Sequence, residues 1–107
     1  MITPQFEHKL YLGQNSPSGV IADSTVDNWL KLNCPTQGYT VYHANGVWQG
    51  DSEPSTIVVV NGPESLKTPL HGLALAYDRD FNQQAVYYTR LPIHGELISL
   101  ESQSVAA

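Results

Sequence analysis

Apolar and polar side chains alternate from Phe6 to Leu12, with Phe6, His8, Leu10 and Leu12 on one face and Glu7, Lys9 and Tyr11 on the other. That period of two belongs to a half-buried strand, the first element predicted. Gly13 to Gly19 is a loop by composition, and no Gly-Lys-Ser/Thr follows to make it a phosphate-binding loop. Ser24-Thr25-Val26-Asp27 reads as a capping box with Asp in place of Glu. It opens a short helix with Val26, Trp29 and Leu30 on one face, ended by Pro35 soon after Cys34.

A second alternation sets Tyr39, Val41 and His43 against Thr40, Tyr42 and Ala44 and runs into Asn45-Gly46. This dipeptide favours the two positive φ angles of a type I′ turn, so a hairpin is expected with Ala44 opposite Val47, His43 opposite Trp48 and Tyr42 opposite Gln49. The return strand is expected to falter in a bulge over Gly50 to Pro54, because Gly weakens a strand and Pro cannot donate to the ladder. It resumes as Thr56 to Val60, a run apolar enough for a central strand. Such a bulge would aim Glu53 into a pocket at the sheet edge.

Asn61-Gly62-Pro63 breaks the chain, after which Thr68 reads as an N-cap and Pro69 as the first helical residue. Leu70, Leu73, Ala74, Tyr77 and Phe81 form the stripe of an amphipathic helix. Ala85 to Arg90 alternates as a fourth strand, Ile93 to Leu100 is a candidate edge strand, and Glu101 to Ala107 reads as a loose tail. The order strand, helix, strand, strand, helix, strand implies an α+β fold of ferredoxin-like βαββαβ type: a four-stranded antiparallel sheet with two helices on one face. We expect a single domain over residues 1–100 and a flexible C-terminal tail over 101–107. The opposite sheet face would carry tyrosines and, depending on register, Trp48, which predicts a homo-oligomer.

Composition narrows the partners. Among 107 residues the net charge is −5 with only five Lys plus Arg, which argues against nucleic-acid and anionic-membrane surfaces. No apolar run approaches the ~20 residues of a membrane helix. The N-terminus lacks the basic start and apolar core of a signal peptide, so a cytoplasmic location is expected. The single cysteine, Cys34, excludes an internal disulfide and reads as an inert thiol. His8, His43, His71 and His94 show neither His-x-His nor His-x-x-x-His spacing, so no metal site is expected. There is no Gly-x-Ser-x-Gly elbow and no Gly-x-Gly-x-x-Gly fingerprint.

What remains is Glu53, either a solvated bulge residue or the carboxylate of a site. Gln83 and Gln84 follow the second helix, where they serve turn chemistry or contact a ligand. Tyr42, Trp48 and Tyr88 are core or interface aromatics, or a stacking wall for a flat ligand. His43, beside Tyr42, joins the candidate ligand contacts.

Gly38, Thr40, Val41 and Tyr42, then Gly46, Trp48, Gly50, Glu53 and Ser55, then Asn82, Gln83 and Val86 form a pattern that resembles a group of small phage-borne proteins. The group includes S-adenosylmethionine (SAM) lyases, and the resemblance runs from about Leu10 to Arg90. It implies a ferredoxin-like oligomer, a trimer by preference, with sites between subunits. The implied reaction has the substrate's own carboxylate attack its γ-carbon and expel the thioether, giving methylthioadenosine and homoserine lactone. The resemblance places the family's key glutamate at Glu53, the adenosine near Tyr42, and polar substrate contacts at Gln83 and Gln84. The family often has an acidic residue where this chain has Gln84. SAM is the substrate and no cofactor is implied; a phage-encoded enzyme of this kind would work in the host cytoplasm. The rival reading is a non-enzymatic oligomeric phage protein that binds or sequesters a nucleotide-like ligand or a host protein.

Overall fold

A computed structural model describes residues 4–100. In chain order the elements are β1 (Gln5–Gly13), β2 (Asn15–Ser16), β3 (Gly19–Val20), α1 (Asp23–Asn33), β4 (Thr40–Trp48), β5 (Asp51–Gly62), α2 (Lys67–Phe81) and β6 (Tyr87–Ile93), with a 3-10 turn at Glu64–Leu66 before α2. Four strands form one antiparallel sheet in the order β4-β5-β1-β6. The β-branched run Thr56 to Val60 therefore lies in a central strand, flanked on both sides, as its apolar character requires.

Strand alternation sorts the side chains. Leu10 and Leu12 of β1 and Val58 and Val60 of β5 join Val26 and Leu30 of α1 and Leu70, Leu73 and Tyr77 of α2 in one buried cluster. Fully burying a side chain of this size contributes about 1.5–3 kcal/mol, so the cluster holds both helices to one side of the sheet. By register, Tyr11, Tyr42, Ile57, Tyr87 and Leu91 lie on the other face, which no element among the described residues covers.

The hairpin turns four residues later than Asn45-Gly46. Its central residues are Gln49 and Gly50, both at positive φ (52° and 85°), between the facing pair Trp48 and Asp51. The reason is the register. With the turn at residues 49 and 50, Thr40, Val41 and Tyr42 pair with Val59, Val58 and Ile57. A turn at residues 45 and 46 would set Val41 against Gly50 and leave the valine run unpaired on that side. Nor is there a bulge: the ladder runs without interruption from Trp48↔Asp51 to Thr40↔Val59, through Pro54. Pro54 is tolerated because its carbonyl accepts the Gln14 N–H at 2.9 Å. Its ring nitrogen faces that same side, beyond Gly13 where β1 has ended, and no ladder bond is lost.

Smaller departures follow from local chemistry. α1 starts at Asp23 with Ala22 as N-cap and no side-chain cap, so Ser24 is inside the helix. The Asp23 carboxylate instead accepts from Gln14 Nε2 at 2.7 Å. The 3-10 turn feeds directly into α2, which puts Thr68 and Pro69 within the first helical turn; a missing N–H costs nothing there. The segment read as a loop after Gly13 contains the short β2–β3 pair, held by Ser16 Oγ donating to the Gly19 carbonyl at 2.7 Å. β6 begins at Tyr87 rather than Ala85. No strand follows Ile93 among the described residues, and the expected tail, residues 101–107, lies outside them.

Candidate functional site

At one end of the sheet a cleft of about 610 Å³ opens on the uncovered face. Its walls come from the end of β1 and the turn after it, the tip of the β4–β5 hairpin, and the segment from Asn82 to Tyr87 that links α2 to β6. Alternation explains the convergence. Gly13 faces Ser55, and Gly46 faces Glu53, so these residues share the uncovered face with Tyr11 and Tyr87, which face each other across β1 and β6.

Glu53 is half-buried and held from two sides. Its Oε2 accepts the Asn15 backbone N–H at 3.2 Å. Its carboxylate lies over Gly13 so closely that a Cβ built on Gly13 would be 2.6–2.8 Å from the carboxyl atoms. Gly13 is thus required for close approach rather than for a special φ. Beneath it, Tyr77 donates its hydroxyl to the Gly13 carbonyl at 2.6 Å. Burial, and then the Glu53 charge, push the Tyr77 phenol far above its ordinary range, so it remains a protonated donor. The next residue, Asp78, has its carboxyl pushed upward by burial, and its Oδ1 is buried without a hydrogen-bond partner.

Gln83 and Gln84 enter the cleft wall because α2 ends at Asn82 in the left-handed conformation (φ 54°), which Asn adopts readily. The amide donors of Gln83 are not free for the cavity. Its Nε2 donates to the carbonyls of Asn15 (2.7 Å) and Phe81 (3.2 Å). Gln84 is exposed. Trp48, opposite Asp51 at the hairpin tip, is 52% exposed at the cleft rim.

The cleft thus brings together Glu53, Trp48, Gln83 and Gln84. It does not take in Tyr42, His43 or Tyr88. Tyr42 faces Ile57 on the uncovered sheet face. His43 points to the helix side, where its Nδ1 meets Thr56 Oγ1 at 2.9 Å and its Nε2 meets Asp27 Oδ2 at 3.2 Å. Thr56 spends its hydroxyl proton on Gln14 Oε1, so Nδ1 donates to it. Tyr88 also points to the helix side, with its hydroxyl 2.7 Å from Nδ1 of the buried His8. His8 Nε2 lies 3.0 Å from the Pro63 carbonyl, which can only accept, so Nε2 is the donor there.

Among the lining residues that were not candidates from the sequence are Tyr11, Tyr87, Asp51 and Asn15. The alternation that buries Leu10 and Leu12 already turns Tyr11 outward, and pairing Tyr87 with Tyr11 puts their rings 5.6 Å apart. Finding Tyr87 in place of Tyr88 needed only the correct face of β6. Asp51 was hidden by the misplaced turn.

Two carboxylates, Asp51 and Glu53, are the charged side chains of the lining, which contains no Lys, Arg or His. Three aromatic rings, Tyr11, Trp48 and Tyr87, accompany them. Such a surface attracts an organic cation and repels a phosphate. Comparison of the chain with protein-family models, curated proteins and solved structures finds no match.

Proposed function

We propose that this protein is a SAM lyase that cleaves SAM to methylthioadenosine and homoserine lactone in the cleft beside Glu53. The observation that carries the proposal is the cleft's charge: carboxylates and aromatic rings, with no basic side chain. SAM bears a sulfonium, an ammonium and one carboxylate, a net cation with a flat base. Its size suits a cavity in the 300–1,000 Å³ range of small-molecule sites.

The chemistry asks little of the protein's acids and bases. A carboxylate oxygen of the substrate forms the new bond to Cγ, the Cγ–S bond breaks, and its electron pair neutralises the sulfonium. The attacking group is already ionised at neutral pH, so no general base is required. The protein's task is to fold the methionine chain into attack geometry and exclude water. An anion pressed against sulfur would favour substrate over transition state, because the sulfonium charge is disappearing. Glu53 is better employed on a ribose hydroxyl: Asn15 holds one of its oxygens, leaving the other to accept. The substrate ammonium keeps its charge throughout, and Asp51 at the rim is suited to it. Trp48 and Tyr87 offer faces to the base or the cation, worth about 0.5–2 kcal/mol per contact.

The finer fold reading belongs with this proposal. Strand order β4-β5-β1-β6 supports a ferredoxin-like arrangement. The exposed Tyr42, Trp48, Tyr87 and Leu91 support a homo-oligomer, a trimer by preference, whose neighbouring copies close the cleft against water. No helix among the described residues is long and apolar enough to cross a membrane. We place the enzyme in the cytoplasm, that of the host if the chain is phage-encoded.

The test is to incubate purified protein with SAM and assay for methylthioadenosine and homoserine lactone. Glu53→Gln is expected to remove most turnover while leaving the thermal midpoint and oligomeric state unchanged. No product above the uncatalysed rate would end the lyase reading. Thermal stabilisation by SAM without product would favour a sequestering protein.

A further inference from the structure

Gln83 touches the cleft, but both of its donors are already engaged. A side-chain amide has two N–H groups, and those of Gln83 go to the carbonyls of Phe81 and Asn15. Asn15 is in turn fixed at three points: its carbonyl by Gln83, its Nδ2 by the Ser52 carbonyl at 3.2 Å, and its backbone N–H by Glu53 Oε2. The Gln83 backbone is itself anchored, its N–H donating to the Asp78 carbonyl at 2.9 Å. A continuous path of hydrogen bonds therefore runs from the end of α2, through Gln83 and Asn15, to the Glu53 carboxylate.

We infer that Gln83 is a positioning residue, which fixes the Asn15 turn so that the Asn15 N–H holds Glu53 in its working orientation. This rests on the lyase reading for its effect on turnover but not for its effect on Asn15. Displacing a catalytic group by about 1 Å can cost up to about 100-fold in rate, so a remote amide can matter without touching substrate.

Gln83→Glu separates positioning from direct contact. The variant is nearly isosteric but exchanges two donors for an acceptor aimed at two carbonyls, which breaks the path. A Gln83 that met the ligand through its oxygen would keep that contact as Glu and hold a cationic substrate more tightly. Gln83→Met removes the donors without adding charge and guards against a merely electrostatic effect. Amide NMR and hydrogen exchange on the unliganded protein are expected to show the Asn15 N–H shifted and exchanging about tenfold faster in both variants. With SAM, kcat is expected to fall about 10- to 100-fold in each. In the double variant Gln83→Glu/Glu53→Gln, turnover should be no lower than in Glu53→Gln alone.

An unchanged Asn15 amide in both variants overturns the inference, as does a lower KM in Gln83→Glu or multiplying losses in the double variant. If the wild-type protein does not turn over SAM, the lyase reading fails, and the Asn15 amide alone decides the role of Gln83.

Discussion

Gly13 has two consequences for the site. Its missing side chain gives the Glu53 carboxylate its seat, and its carbonyl receives the buried Tyr77 hydroxyl. In Gly13→Ala the new methyl group meets the far end of a flexible side chain, so Glu53 swings away and the fold survives. The expected outcome is a thermal midpoint close to wild type with SAM turnover reduced as in Glu53→Gln; retained turnover would show that the seat is dispensable. Tyr77→Phe keeps the ring and deletes the donor to a part-buried carbonyl, and is expected to cost about 1 kcal/mol in denaturant unfolding. Asp78 behaves oppositely. Burial raises its pKa in the folded state above the unfolded value, so the folded chain binds the proton more tightly. Stability therefore falls as pH rises from the ordinary carboxylate range through the raised value, and stays lower above it. Asp78→Asn is expected to raise the thermal midpoint at pH 7, with the gain shrinking as the pH falls through the raised value and lost once it is below about 4.

At the scale of the element, the β4–β5 hairpin decides where the site forms. Its turn uses Gln49 and Gly50 at positive φ, and nothing lies within 4 Å of a Cβ built on Gly50. Gly50→Ala thus reports backbone strain alone, and about 1–2 kcal/mol should be lost as a lower denaturant midpoint with an unchanged m-value. Strand β1 with Leu10 and Leu12 on one face, and the α2 stripe of Leu70, Leu73 and Tyr77, were legible because their periodicity is imposed by burial, and Thr56 to Val60 was legible as a central strand from its apolar character. The hairpin register was not. Asn45-Gly46 is a strong local turn signal, but the longer ladder with the valine run outweighs it. That four-residue displacement concealed Asp51 and turned the expected bulge into regular strand. Glu53 still reached the cleft, since its odd-numbered position puts it on the face of Ser55 and Ile57. The capping box at Ser24 failed for a related reason: Gln14, buried just after β1, draws on Asp23, and the helix starts two residues earlier, with Ala22 in place of Ser24 as N-cap.

The whole molecule presents two unequal faces. One side of the sheet is sealed by α1 and α2, while the other exposes Tyr42, Tyr87 and Leu91, with Trp48 at the edge. In the proposed oligomer these residues meet neighbouring copies, and the cleft is complete only when they do. Leu91, 58% exposed and outside the cleft lining, is the place to test this. Leu91→Asp is expected to yield monomers in analytical ultracentrifugation and to depress SAM turnover, although Glu53 and Trp48 are untouched. Full turnover by a monomer would remove the neighbouring copy from the site.

The most direct measurement is SAM cleavage by the wild-type protein in ¹⁸O-water, with the products resolved by mass spectrometry. Methylthioadenosine should accumulate together with homoserine lactone that carries no ¹⁸O when first formed. Any homoserine that follows from ring opening should carry the label in its carboxyl group. Label in the homoserine hydroxyl would mean that water, not the substrate carboxylate, attacks Cγ. Absence of methylthioadenosine above the uncatalysed level would contradict the assignment of the Glu53 cleft to SAM cleavage.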